Sequence, residues 1–117
     1  MRLRIRALAP AVVGSLLSFA AGGALANQAT TPLGRWMGPN ISAPFEAEDY
    51  PTLQRNLELV ASKPPPGDGY PRWTAFAKAG AAAASDQDRV AVKAACRQCH
   101  ETYKQSYRKE FKTRAFP

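Results

Sequence analysis

The apolar positions of this chain recur with a helical period, and no stretch alternates apolar and polar residues as a half-buried strand does. Between Pro32 and Glu46, Trp36, Met37, Ile41 and Phe45 share one side at spacings of three to five, and Thr31-Pro32 offers a start. Gly34, Gly38, Pro39 and Pro44 weaken this helix, so two short pieces are expected, kinked or restarted at Pro39. A clearer helix follows, with Asp49 as cap, Pro51 in the first turn, and Leu53, Leu57, Val60 and Ala61 at i, i+4, i+7 and i+8. It stops before Pro64, and Lys63 to Gly69 holds too much proline and glycine to be helical. A third helix opens at Pro71 and would bury Trp73, Phe76, Ala77, Gly80 and Ala84. Gly80, set among alanines, implies close approach of another helix or of a flat ligand. The fourth helix is expected from Ser85, where Asp88 three residues on imitates a capping box, and neither proline nor glycine interrupts it before Pro117. Four helices with short links predict an all-α antiparallel four-helix bundle.

The first residues read as an export signal. Arg2, Arg4 and Arg6 form a positive start, Ala11 to Ala21 is an uncharged apolar run, and Ala24-Leu25-Ala26 presents small residues for cleavage after Ala26. The competing reading is an uncleaved anchor, which Pro10, Gly14, Gly22 and Gly23 disfavour. A signal peptide over 1–26 leaves 27–117 as a single domain, periplasmic and without stable membrane insertion. Losing Arg2, Arg4 and Arg6 takes the 16 basic residues to 13 against 9 acidic ones, a balance of +4 instead of +7. That suits an acidic redox partner or an anionic surface and is too small to argue nucleic-acid binding. A domain this short hides little of its surface, and its two cysteines lie together in Cys96-Arg97-Gln98-Cys99-His100, so no disulfide framework is available. A buried cofactor would complete the core.

Cys-x-x-Cys-His is the attachment signature of c-type haem. Two thiols must reach two vinyl groups on one porphyrin edge while a neutral imidazole stands beneath the iron. Residues i, i+3 and i+4 of a helix share a face, with neighbours about 5–6 Å apart, and Cys96, Cys99 and His100 take those places. Val92, Tyr103, Tyr107 and Phe111 fall on the same side, whereas Arg97, Gln98, Glu101, Thr102, Gln105, Arg108, Lys109 and Lys112 fall on the other. Structural zinc usually needs four protein ligands, more than one histidine and two cysteines supply. A thioredoxin-like dithiol belongs at a helix start beside a βαβ pattern, which is lacking here. Without haem bound, the fold should show a hollow beside His100.

A Cys-x-x-Cys-His near the C-terminal end, followed by Tyr103-Lys104 and preceded by three helices, resembles the class II c-type cytochromes, the cytochrome c-prime group of four-helix bundles. The resemblance covers nearly all of Leu33 to Arg114. It implies one covalent haem c on Cys96 and Cys99, iron held by His100, Lys104 near a haem propionate, and homodimers as a possibility. Tyr103 shares the haem face and either reaches a propionate or fills space. His100 is the only histidine, so the sixth iron ligand is another residue or none. Met37 is the sole methionine after cleavage and lies where six-coordinate members draw theirs. With Met37 bound, the protein carries single electrons between redox proteins; without it, the five-coordinate iron would bind small gases such as NO or CO. No spare nucleophile-histidine pair or phosphate-cradling loop supports an enzyme. Trp36, Trp73 and Phe76 are expected beside the porphyrin or, more simply, between helices.

Overall fold

The computed structural model describes residues 29–117, which are all-helical with no strand among them. The expected signal peptide over 1–26 lies outside the described residues. The first rod joins α1 (Pro32–Met37), a π-helical turn (Gly38–Ser42) and α2 (Ala43–Glu46). Then come α3 (Tyr50–Ala61), α4 (Trp73–Ser85) and α5 (Arg89–Glu110). None of the described helices is long and apolar enough to cross a membrane.

Capping and proline placement fix most boundaries. Thr31 accepts the Gly34 N–H at 3.0 Å and Asp49 accepts the Thr52 N–H at 3.3 Å, each with a proline in the first turn behind it. The first rod does contain the two short α-helical pieces expected, joined without a fresh start at Pro39: the backbone stays right-handed through Met37 and Gly38, and a wider turn absorbs the proline. Three boundaries differ from the sequence expectation, the start of α4 and both ends of α5. The third helix begins at Trp73 and not at Pro71, because Trp73 N–H turns back to the Tyr70 carbonyl and Arg72 N–H is taken by the Tyr103 hydroxyl at 2.7 Å. Ser85 ends α4 instead of starting α5. Asp88 alone caps α5, accepting the Ala91 N–H at 3.0 Å after a turn in which Gln87 has φ of 55°.

The last helix also stops early, at Glu110, although no proline or glycine breaks it there. Side-chain docking outweighs helix propensity. Phe111 packs on Tyr70 and Tyr107, the Arg114 guanidinium donates to the carbonyls of Lys63 and Pro64 at 3.2 Å, and Phe116 meets the Trp36 ring at 4.8 Å. A straight helix would carry all three into solvent.

Contacts along the rods show that neighbours run in opposite senses, an arrangement compatible with a helical bundle. At the start of α4, Trp73 Nε1–H donates to Val60 O at 2.9 Å and Thr74 Oγ1–H to Ala61 O at 2.9 Å, both at the end of α3. Halfway along, Gly80 faces Leu57 of α3 and Ala95 of α5. Two buried clusters result. An aromatic one gathers Leu33, Val60, Tyr70, Trp73, Phe76, Tyr103 and Tyr107; an aliphatic one gathers Ile41, Leu53, Leu57, Ala81, Ala84 and Val92.

Gly80 is therefore the close-approach point. A Cβ there would lie 3.3 Å from Leu57 Cδ1 and 3.6 Å from Ala95 Cβ. Gly80→Ala should stay within about 1 kcal/mol of the parent, the gain in helix propensity offsetting a small shift of the flexible Leu57 tip. Gly80→Val adds two more methyl groups in the same gap and should lose about 1–3 kcal/mol, read as a lower urea midpoint at unchanged slope. Equal midpoints for Gly80→Val and the parent would mean that the three helices do not meet there.

Candidate functional site

On α5 the buried residues are Val92, Ala95, Tyr103 and Tyr107, with Cys96 and Cys99 half-buried beside them. The predicted stripe had left out Ala95, which the approach of Gly80 covers. His100 comes one residue after Cys99, about 100° further round the helix, and so lies at the edge of the buried stripe, exposed to the space beside it.

That space is a cavity of about 450 Å³, within the size range of small-molecule and cofactor sites. From α5 it is bordered by Cys99, His100, Tyr103, Lys104, Tyr107 and Arg108; from the first rod by Leu33, Gly34, Met37, Gly38 and Ser42; and from α4 by Trp73. A smaller hollow of about 70 Å³ adjoins it, sharing Met37, Ser42, Cys99 and His100 and adding Cys96, Phe76 and Gly80. The six candidate haem and iron contacts thus lie on one or both walls: Cys96 on the smaller, Tyr103 and Lys104 on the larger, and Cys99, His100 and Met37 on both. Trp73 and Phe76 border the cavities as well. Trp36 borders neither and packs on Phe116.

The two tyrosines differ in what they offer. Tyr103 Oη accepts the Arg72 N–H at 2.7 Å, and its ring borders the larger cavity. Tyr107 Oη is buried without a hydrogen-bond partner, which is costly unless a polar group meets it. No acidic residue lines either cavity, whereas Lys104 and Arg108 stand on the wall of the larger. The lining suits a flat, largely apolar group bearing negative substituents.

Burial sets the protonation of the three motif residues. It raises the Cys96 thiol, and it pushes Cys99 up from 9.0 to about 11, with the neighbouring Cys96 adding to the effect. Partial burial first, and then the Lys104 charge one turn away, lower His100. At neutral pH the site therefore presents two protonated thiols and a neutral imidazole, the form in which histidine binds metals. A redox dithiol has the opposite character, with a thiol lowered at a helix start, whereas this pair sits mid-helix and is raised. Among the described residues no three His, Cys, Asp or Glu side chains converge as a metal cage. The donor set of two thiols, one imidazole and one thioether fits a metal that arrives with its own macrocycle.

Leu33 and Ser42 carried no signal of a site in the sequence, and Arg108, expected on the side of α5 away from the motif, borders the larger cavity instead. Only the Gly38-Pro39 break hinted that the first rod winds unusually. Neither a family model, nor a curated protein, nor a solved structure matches the chain.

The raised thiols have a measurable consequence. In haem-free protein at pH 8, alkylation of Cys99 by iodoacetamide should run about 100-fold slower than that of an unstructured cysteine, since two pH units separate about 11 from 9.0. The rate should climb as pH rises toward 11. Alkylation faster than in the unstructured peptide would instead mark an activated dithiol.

Proposed function

We propose that the mature chain is a periplasmic class II-type c cytochrome, an antiparallel four-helix bundle carrying one covalent haem and passing single electrons between redox proteins. The observation that carries this reading is the convergence of Cys99, His100 and Met37 on one cavity, with Cys96 on the hollow that adjoins it. Haem bound there would supply an iron that alternates between ferrous and ferric states, one electron at a time.

The chain's own residues have separable tasks. Cys96 and Cys99 would hold the group through thioethers, an S–H addition to a vinyl C=C that consumes no oxidant. Their raised pKa keeps both thiols protonated and hence unreactive until that step. His100, kept neutral, ligates the iron from the α5 side. Met37, which borders the same cavities from the first rod, would supply a thioether ligand, and such ligation would raise the reduction potential and close the iron to gases. Trp73, Tyr103 and Tyr107 exclude water on the α4 and α5 side. Lys104 and Arg108 offset the propionate charges, and the unpartnered Tyr107 hydroxyl is a donor for one of them.

Co-expression with a haem-attachment system tests this directly. Purified protein should gain the mass of one haem, resist extraction into acid butanone, and lose covalent haem in the Cys96→Ala/Cys99→Ala double variant. A bare-polypeptide mass and no Soret band would end the proposal. In the parent, a low-spin spectrum with the weak far-red band of a thioether–iron bond is expected, and Met37→Ala should convert it to a high-spin form that binds CO when reduced. A low-spin spectrum unaltered in Met37→Ala would remove Met37 from the iron.

A further inference from the structure

The first rod contains two prolines five residues apart, Pro39 and Pro44, and each removes the N–H that an α-helix needs at its position. In α-helical register the carbonyl of residue 40 would receive the N–H of residue 44, which proline lacks. The Asn40 carbonyl instead accepts the side-chain amide of Asn56, on α3, at 2.7 Å. The Asn40 side chain in turn donates to the Trp36 carbonyl at 2.9 Å. Between these bonds the backbone closes with i→i+5 geometry, Ala43 N–H donating to Gly38 O.

The wider winding changes which side chains share a face. In an α-helix Met37 and Ser42 would point about 140° apart. Wound as a π turn, residues five apart come round to the same side, and both Met37 and Ser42 border the larger cavity and the smaller one. Ile41, beside them, is buried in the aliphatic cluster and anchors the turn from below. Gly38 has open space around it, so steric crowding there does not force the geometry. What remains is the pair of missing donors and the asparagine amide that answers one of them.

We infer that Asn56 is a positioning residue for the distal side of the site: its amide holds the Gly38–Ser42 turn in the wide winding that turns Met37 and Ser42 toward His100. The inference rests on the haem reading above and assigns a task that Asn56 performs without touching the group. Without the bond, the Asn40 carbonyl is left half-buried and unpaired, and nothing on α3 pins the turn in its wide winding. Met37 then swings off the cavity wall while Cys96, Cys99 and His100, on a different helix, keep their places.

The test uses the mature holoprotein as parent, Asn56→Asp, Asn56→Ala and Met37→Ala. Asn56→Asp keeps the shape and loses the donor; should its carboxylate unsettle the domain, Asn56→Ala carries the comparison. Circular dichroism establishes that each is folded. Both Asn56 variants should retain one covalent haem per chain yet lose most of the thioether–iron band, and their ferrous forms should bind CO at least about 10-fold faster than the parent, approaching Met37→Ala. Folded Asn56 variants with the parental band and CO rate, beside a Met37→Ala variant that has lost both, would overturn this inference and leave the haem reading intact. A parent whose band and CO rate equal those of Met37→Ala has no methionine bond to position, and that also overturns it. A parent without Soret absorption overturns the haem reading itself.

Discussion

The interior of this protein is divided between an aromatic and an aliphatic cluster, and the first rod, α3, α4 and α5 each contribute to both. At one end the rings of Tyr70, Trp73, Tyr103, Tyr107 and Phe111 stack and tilt against one another at centroid separations of 5.0–6.3 Å. At the other end the buried residues are Leu, Ile, Val and Ala, with Trp36, Phe45 and Tyr50 partly buried against them. The motif lies across the seam: Cys99 packs on the aromatic cluster, Cys96 on the aliphatic one, and Met37 on both. The larger cavity opens beside this seam, and on the haem reading proposed above the cofactor would complete the interior there.

The first rod spans the seam because it is tied at both ends. Near its end, Arg89 from the start of α5 donates to Phe45 O at 2.7 Å and lies over the Phe45 ring at 4.0 Å; its ion pairs to Glu46 and Glu48 are largely exposed and add little. Near its start, the returning tail brings Phe116 against Trp36. The tail is in turn held by Arg114 on the Lys63 and Pro64 carbonyls and by Phe111 beside Tyr70, whose hydroxyl donates to Glu110 at 2.8 Å. Between these ties the rod lies on α3, with Ile41 buried in the aliphatic cluster and Met37 and Ser42 on the cavity wall. We have inferred that its winding there is held by one side chain of α3.

Much of this was legible in the sequence because the signals were local. Leu53, Leu57, Val60 and Ala61 repeat with the helical period and are the four buried residues of α3. The Pro64–Gly69 loop announced itself, and the Cys-x-x-Cys-His spacing placed three donors on one helical flank before any fold was considered. What escaped was set by distant partners. The start of α4 depends on Tyr103, thirty-one residues away, and the end of α5 on Phe111, Arg114 and Phe116 finding Tyr70, the loop carbonyls and Trp36. The π turn depends on Asn56, sixteen residues on, so Gly38-Pro39 read only as weakness in a helix. Ser85 and Asp88 both looked like caps, and the choice between them fell to how α4 ends.

The two sides of the site differ in how firmly the backbone dictates them. On the α5 side, three donors at i, i+3 and i+4 of an uninterrupted 22-residue helix have fixed relations that no distant contact needs to supply. On the opposite side, Met37 stands at the entrance to a turn that two prolines force out of α register and one borrowed amide completes. On the haem reading proposed above, attachment and proximal ligation would therefore be robust to change elsewhere in the fold, whereas the choice between a closed, electron-carrying iron and an open, gas-binding one would turn on a single half-buried hydrogen bond. Function of either kind can arise from the same α5, and the residues that decide between them lie outside the motif that identifies the site.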